Sequence, residues 1–512
     1  MKHPSSFEDT TYSRLLLFLC LTVRAVYLIF YFLIEKEGFH FYRFDDIIRT
    51  LTALDWSIDP RWLFNEHWLP FPFWLNGAVI RVSSNPLYSP ICLNIVLSSL
   101  LLWGLYLLSR KLFSDESWSC LLPASFVGGG YLFNSLSLSG GSEILYIGLI
   151  IFGYLSLLLF LENKSFRFLS GGICLILLSE LCRYEAWALG LTLTVILAMK
   201  IKPPIRQAWG LKAIILLSLP ILPILFLKME CAHPIMGFPP GDILKSLSPI
   251  VRLSPTIIAL SLLGLFTTAR PPLVFYGASV ICFLFLFIIS YFALKFLEFT
   301  EIPRSVLVFV ILISPFMVPA VRSIVSSLRL SRRPVLIVIL AIASMLFSTY
   351  RIFQYRFDPQ NEERELLHIG KIFVQSRSHI TKDRFPIIWF DPTLSTGYEF
   401  SMSPMVIMYA APATDSPYVP FMEHSYVHTR EINSYPPDFQ PDIVFTLTRS
   451  NVPPPHMVIL GKTGHYTVWG RTDRRHYIYF KQMFKNLDRI TERIGETPAP
   501  KEWNIGILDQ LR

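Results

Sequence analysis

The sequence predicts a polytopic α-helical membrane protein of about 11 transmembrane helices, closed by a C-terminal extracytoplasmic α/β domain. Three observations predict it. Of the 512 residues, 52% are hydrophobic and 16% charged, with a mean hydropathy of +0.46. A soluble globular chain carries roughly 25% charge, so this one is too apolar to be coated in water. Apolar runs of bilayer length recur as far as residue 350, and basic residues gather in alternate loops between them. Disorder, a coiled coil and a disulfide scaffold are excluded. The seven cysteines (Cys20, Cys92, Cys120, Cys174, Cys182, Cys231 and Cys282) form no CxxC pair, so neither a disulfide framework nor a zinc site is expected.

A spanning helix needs about 17–25 apolar residues, fewer where it is broken or interfacial. Such runs lie at 15–34, 88–109, 118–138, 144–161, 168–182, 185–199, 211–228, 254–269, 273–297, 304–324 and 334–350. No small-residue cleavage site follows the first, which reads as a signal anchor. The basic clusters are Arg110-Lys111, Lys164 with Arg167, Lys200 to Lys212, Arg270, and Arg322 to Arg333. With a cytoplasmic N-terminus and this count, every cluster falls inside. Residues 1–350 hold 27 Lys/Arg against 19 Asp/Glu, and residues 351–512 hold 19 against 18, so the +9 net charge marks cytoplasmic loops rather than nucleic-acid binding. The short, proline-interrupted stretch 71–82 is placed at the interface. Arg183-Tyr184-Glu185 divides 168–199 into two short helices that turn at the outer face.

An eleventh span ending near Tyr350 puts residues 351–512 outside as a second domain. Phe385–Phe390, Met405–Tyr409, Asp442–Leu447 and His476–Phe480 read as strands. Asn361–Val374 and Lys481–Ile494 have helical periodicity. Proline-rich connectors separate these segments.

Chemistry concentrates in the outer loop 35–87, which opens Arg43-Phe44-Asp45-Asp46 and continues to Glu66-His67. Residues 35–76 hold seven acids and four bases. Adjacent carboxylates at a membrane boundary can act as a general base or hold a divalent cation. Neighbouring tryptophans and phenylalanines fit an interfacial belt or a groove for sugar or lipid. The alternative is a solvated acidic loop with aromatic anchors.

Arg183 and Glu185 stand inside an apolar stretch, where a charge needs a partner or a polar cavity. Arg183 can hold a phosphate through its planar fork, or it can pair with Glu185 and pin two helices. Glu143 starts the fourth span on the outer side, facing the same cavity or capping its helix. His233 in the third outer loop is a candidate acceptor contact. Arg304, after Glu301-Ile302-Pro303, is a candidate for a lipid phosphate or a snorkelling interfacial arginine.

These residues in this order resemble the GT-C superfamily of glycosyltransferases, which includes the protein O-mannosyltransferases and the aminoarabinose transferases of lipid A. The shared plan is a cytoplasmic N-terminus, one span, and a long outer loop opening on an acidic pair. His67-Trp68-Leu69-Pro70-Phe71-Pro72-Phe73-Trp74 is similar to their proline-containing juxtamembrane segment. Ser142-Glu143, Leu181-Cys182-Arg183-Tyr184-Glu185 and Ile302-Pro303-Arg304 resemble their outer Ser/Thr-Glu, Arg-Tyr-Glu and late Pro-Arg patterns. The likeness covers residues 1–350 in layout and short stretches in detail. It departs at the acidic pair, which is Asp-Asp here and usually Asp-Glu in the O-mannosyltransferases.

The resemblance implies transfer of a hexose, mannose being one candidate, from a polyprenyl-phosphate donor to an extracytoplasmic protein, lipid or glycan acceptor, with inversion. It implies Asp45 and Asp46 as catalytic acids, with Arg183 and Arg304 on the donor phosphate. Arg43, His67, Glu143, Tyr184, Glu185 and His233 would line the substrate cavity. A divalent metal, if used, would sit on Asp45 and Asp46. The expected location is a bacterial cell membrane with the site and C-terminal domain outside. Membrane lipid is a partner and nucleic acid is not. The rival readings are a lipid or oligosaccharide transporter or flippase, and a polysaccharide polymerase or ligase. Transporters often carry internal repeats, and the sequence shows none.

Overall fold

The computed structural model describes residues 17–18, 21–22, 24–26, 29, 49–50, 52–54, 56–57, 60, 69–83, 89–113, 118–183, 185–200, 255–265, 271–294, 302–327, 343, 388–390, 443–447, 456–462, 466–472, 477 and 481–482. Eleven α-helices fall within them: α1 Phe71–Ser83, α2 Ser89–Phe113, α3 Leu122–Gly128, α4 Tyr131–Ser137, α5 Glu143–Asn163, α6 Phe166–Glu180, α7 Glu185–Lys200, α8 Pro255–Leu265, α9 Pro271–Leu294, α10 Ile302–Ile313 and α11 Met317–Ser327. The expected runs at 211–228 and 334–350 lie outside the described residues, apart from a helical Ala343.

Helices Ser89–Phe113 and Glu143–Asn163 and the segment Leu307–Ile324 are long and apolar enough to cross a membrane. The stretch expected at the interface is α1, whose 13 residues are too few to span. The division of 168–199 is present as α6 and α7, with a turn at Leu181–Cys182.

The third run does not form one straight helix. A 3₁₀ turn, Trp118–Leu121, leads into α3; the chain then breaks at Gly129-Gly130 before α4. Backbone groups freed in an apolar layer must find partners. Asn134 supplies them: its Nδ2 donates to the carbonyls of Gly128 at 2.7 Å and Gly130 at 3.1 Å. Its Oδ1 accepts from Arg24 Nη2 at 2.8 Å. Arg24 also donates to Ser98 Oγ at 2.8 Å and Ser137 Oγ at 3.2 Å, and it is fully buried. Asn134 thereby links the buried cation to the carbonyls freed at the break.

The tenth run breaks similarly at a 3₁₀ turn, Ser314–Phe316. Pro315 has no N–H to offer the carbonyl four residues back. Ser314 Oγ donates to that carbonyl, Ile311 O, at 2.7 Å, and Tyr276 Oη donates to Leu312 O at 2.6 Å.

One hydrophobic core joins α2, α5, α6, α7, α9 and α10, with Leu17 and Leu21 of the first run packed into it. Helices α5 and α6 come close because Gly153 faces Ile176 and Gly172 faces Leu157; a Cβ at either glycine would stand within 2.8 Å of those side chains. Helices α2 and α5 run in the same direction. Asn94 near the start of α2 donates to Gly141 O at 2.9 Å, just before α5, and Lys111 pairs with Glu162 at their other ends. Arg322 reaches Ser119 at 2.9 Å.

In the C-terminal region four strands form one sheet in the order β1-β2-β4-β3: β1 Ile388–Phe390, β2 Ile443–Leu447, β3 Met457–Lys462 and β4 Tyr466–Arg471. β1 and β2 are parallel, with Trp389 opposite Val444; the other pairs are antiparallel, with Val444 opposite Trp469. A bulge at Leu460 turns its side chain over Gly470, where a Cβ would stand 2.5 Å away. Two expected strands are present as β1 and β2. The strand expected at His476–Phe480 is corrected at its one described residue, Tyr477, which is helical; Lys481 and Gln482 are helical as expected, and the rest of both segments lies outside the described residues. Met405–Tyr409 and Asn361–Val374 lie outside the described residues.

Candidate functional site

Three segments distant in sequence bring charge to one buried point. The first is the start of α5, where Ser142 and Glu143 follow the glycine turn. The second is the turn from α6 to α7, carrying Arg183 and then Glu185 as the first residue of α7. The third is Arg49, in a helical stretch with Thr50 and Thr52–Leu54, three residues after Asp46.

The α6–α7 turn is built firmly. The amides of Cys182 and Arg183 both donate to Ser179 O, at 3.0 and 3.2 Å. Trp187 Nε1 donates to Glu180 O at 2.9 Å, and the Phe71 amide donates to Leu181 O at 3.2 Å. The last carbonyls of α6 are thereby satisfied, and α1 is tied to the turn. Arg183 is aimed by backbone rather than by a flexible loop.

Arg183 uses both edges of its guanidinium. Nε lies 3.1 Å from each oxygen of Glu185, and Nη2 lies 2.9 Å from Oε1. Nη1 donates to Glu143 Oε1 at 3.0 Å. Arg49 Nη1 donates to Ser142 Oγ at 3.2 Å and stands 3.9 Å from Glu143 Oε1. The Tyr146 ring, one turn along α5, lies 5.9 Å from Arg183 Cζ. The four charged side chains are at most 6% exposed. Among the described residues two arginines stand against two glutamates, and such a balance offsets the desolvation cost of buried charge.

Of the expected site residues, Glu143, Arg183 and Glu185 are brought together. Glu143 is an ion partner as well as the first residue of its helix, and Arg183 pairs with Glu185. Arg304 lies in the first turn of α10. Asp45, Asp46, Arg43, His67, Tyr184 and His233 lie outside the described residues. Among the described residues no group of three His, Cys, Asp or Glu gathers to hold a metal ion.

Sequence reasoning did not select Arg49 as a site residue, nor Arg24 and Glu180 as buried charges. The signal for Arg24 was available: it is a lone arginine in an apolar run, the rule that flagged Arg183. Glu180, fully buried at the end of α6, lies against Gly190 of α7.

The arrangement of helices has known counterparts. ArnT from Cupriavidus metallidurans, solved bound to undecaprenyl phosphate, superposes with a TM-score of 0.58 over 89% of this chain and 98% of ArnT, at 10% sequence identity. The oligosaccharyltransferase AglB from Archaeoglobus fulgidus, solved with an inhibitory peptide and a dolichol-phosphate, gives 0.50 over 85% of this chain and 69% of its own, again at 10% identity. An AglB structure tethered to an acceptor peptide gives 0.51 over 94% and 72%.

The chain shares the fold of these two proteins. At this identity the likeness is one of fold. No family model matches the sequence, and no curated protein matches it. The likeness in fold to ArnT extends over nearly the whole of both chains.

Proposed function

We propose that the chain is a membrane glycosyltransferase that moves a sugar from a polyprenyl-phosphate donor to an acceptor outside the cytoplasm, with inversion. The observation that carries the reading is the whole-length likeness in fold to a protein solved on undecaprenyl phosphate. The buried arginine–glutamate cluster, at the helix ends where the sequence reading places the outer face, supports it. Eleven spans and an outer C-terminal domain belong to the same reading.

The chemistry follows from the donor. A lipid tail keeps the donor in the bilayer, and its phosphate stands at the interface. The acceptor hydroxyl gives its proton to a carboxylate, Asp45 in this reading, as its oxygen attacks the anomeric carbon. The bond from that carbon to the phosphate oxygen breaks, and the lipid phosphate leaves with the electron pair. Arg183 and Arg304 are the cations assigned to that growing charge. Attack on the opposite face inverts the anomeric centre. Arg43, His67, Glu143, Tyr184, Glu185 and His233 are assigned to the surrounding cavity. A divalent ion, where one takes part, would be held by Asp45 and Asp46. Mannose or another hexose is the proposed sugar.

Cells lacking the protein should accumulate one polyprenyl-phosphate sugar and lose one glycan from a protein, lipid or polymer. Mass spectrometry of both fractions reads this. Unchanged glycans with the lipid-linked sugar trapped on one leaflet would instead indicate a flippase.

A further inference from the structure

We propose that Glu185 and the donor's phosphate compete for the same edge of Arg183, so that Glu185 sets the affinity for the lipid phosphate. The proposal rests on the reading above, in which Arg183 receives that phosphate.

The Nε and Nη2 groups of Arg183, both directed at Glu185 at 2.9–3.1 Å, are the fork that a phosphate oxygen pair takes in a bidentate contact. A carboxylate on that fork has nearly the spacing and charge of the ligand it would exclude. The second consideration is charge. Among the described residues, Arg49, Arg183, Glu143 and Glu185 sum to zero, and charges balanced in this way attract a phosphate little. Withdrawing Glu185 leaves a net positive charge among these residues.

The two glutamates are also held differently. Glu143, on α5, reaches Arg183 through Nη1, the other side of the guanidinium, and has Arg49 beside it at 3.9 Å. It can keep Arg183 in place during an exchange on the fork. Glu185 is the first residue of α7 and two residues from Arg183. A carboxylate there stands at the N-terminal end of α7, where the helix dipole favours negative charge off the fork as well as on it. Both Arg183 and Glu185 are buried, so phosphate entry and carboxylate departure form one exchange.

The test is titration of the purified full-length protein with undecaprenyl phosphate in detergent, read as an apparent Kd. Glu185→Gln should bind about ten- to a hundredfold more tightly, the range expected on removing one charged competitor for a guanidinium. Unchanged or weaker binding overturns the proposal. Glu185→Asp keeps the charge but retracts the carboxylate by one methylene, and should give a smaller gain in the same direction. It carries the test if Glu185→Gln does not accumulate. If neither variant accumulates, Glu185 is a structural pin and the proposal fails.

Arg183→Lys separates this failure from that of the underlying reading. Wild-type affinity in Arg183→Lys would remove Arg183 from the phosphate site altogether. Loss of binding in Arg183→Lys with no gain in Glu185→Gln would leave the phosphate site and remove the competition alone.

Discussion

Arg183 stands between two carboxylates from different helices, and replacing it with an apolar residue would take a buried cationic partner from each. Breaking a buried ion pair on one side costs about 3–5 kcal/mol, so Arg183→Met should reduce accumulation in membranes. Arg183→Lys keeps the charge and loses the fork. It should accumulate normally while sugar transfer falls tenfold or more, as measured on equal amounts of purified protein. Failure of the lysine variant to accumulate would assign Arg183 to pinning α6–α7 against α5 and nothing further. Arg24 answers to a different rule, because its partners are neutral. Arg24→Met leaves Asn134 Oδ1 without its donor, and thermal unfolding in detergent should show a loss of about 1–3 kcal/mol. Much of the described cluster was legible in the sequence, since an arginine and glutamates in apolar surroundings announce themselves. Arg49 was less so. Its burial depends on meeting Ser142 and Glu143, and no local pattern contains that contact.

Helix boundaries were the most legible feature of the elements. The apolar run at 88–109 appears as Ser89–Phe113, and that at 144–161 as Glu143–Asn163. Such helices are fixed by the length of the run and by the prolines and glycines that bound it, both visible in sequence. Breaks within runs were less visible. The Gly128–Gly130 break needs Asn134 and Arg24 to satisfy it, and the Pro315 break needs Ser314 and Tyr276. In the C-terminal sheet the antiparallel β3–β4 pair went unread, although three residues with a central glycine, Thr463-Gly464-His465, between two apolar segments are a hairpin signal in the sequence. The bulge at Leu460 hides its alternation, because it exposes Val458 and Ile459 side by side. Close glycine contacts give the test at this scale. Gly153→Leu would drive a side chain into Ile176 and force α5 from α6. A destabilisation of about 1–3 kcal/mol, seen as a lower Tm in detergent, is expected. An unchanged Tm would mean that the two helices do not meet at Gly153.

For the whole molecule, the contacts that join helix ends bear on the sidedness expected from the basic loops. Arg49, Ser142, Glu143, Arg183 and Glu185 gather at one end; Lys111 with Glu162, and Arg322 with Ser119, lie at ends expected inside. A reporter active only in the cytoplasm and fused after residue 512 should therefore be silent, and strong activity would mean that the number of spans is even. The central claim is sugar transfer through the outer acidic pair, and the direct measurement is transfer from a polyprenyl-phosphate sugar by purified wild type, Asp45→Asn and Asp46→Asn. The wild type should form the glycosidic bond. A general base contributes about 10²–10⁴ in rate, so Asp45→Asn should lose at least a hundredfold while the protein stays folded. Full turnover in both variants, or no transfer by the wild type from any polyprenyl-phosphate sugar, would contradict the claim.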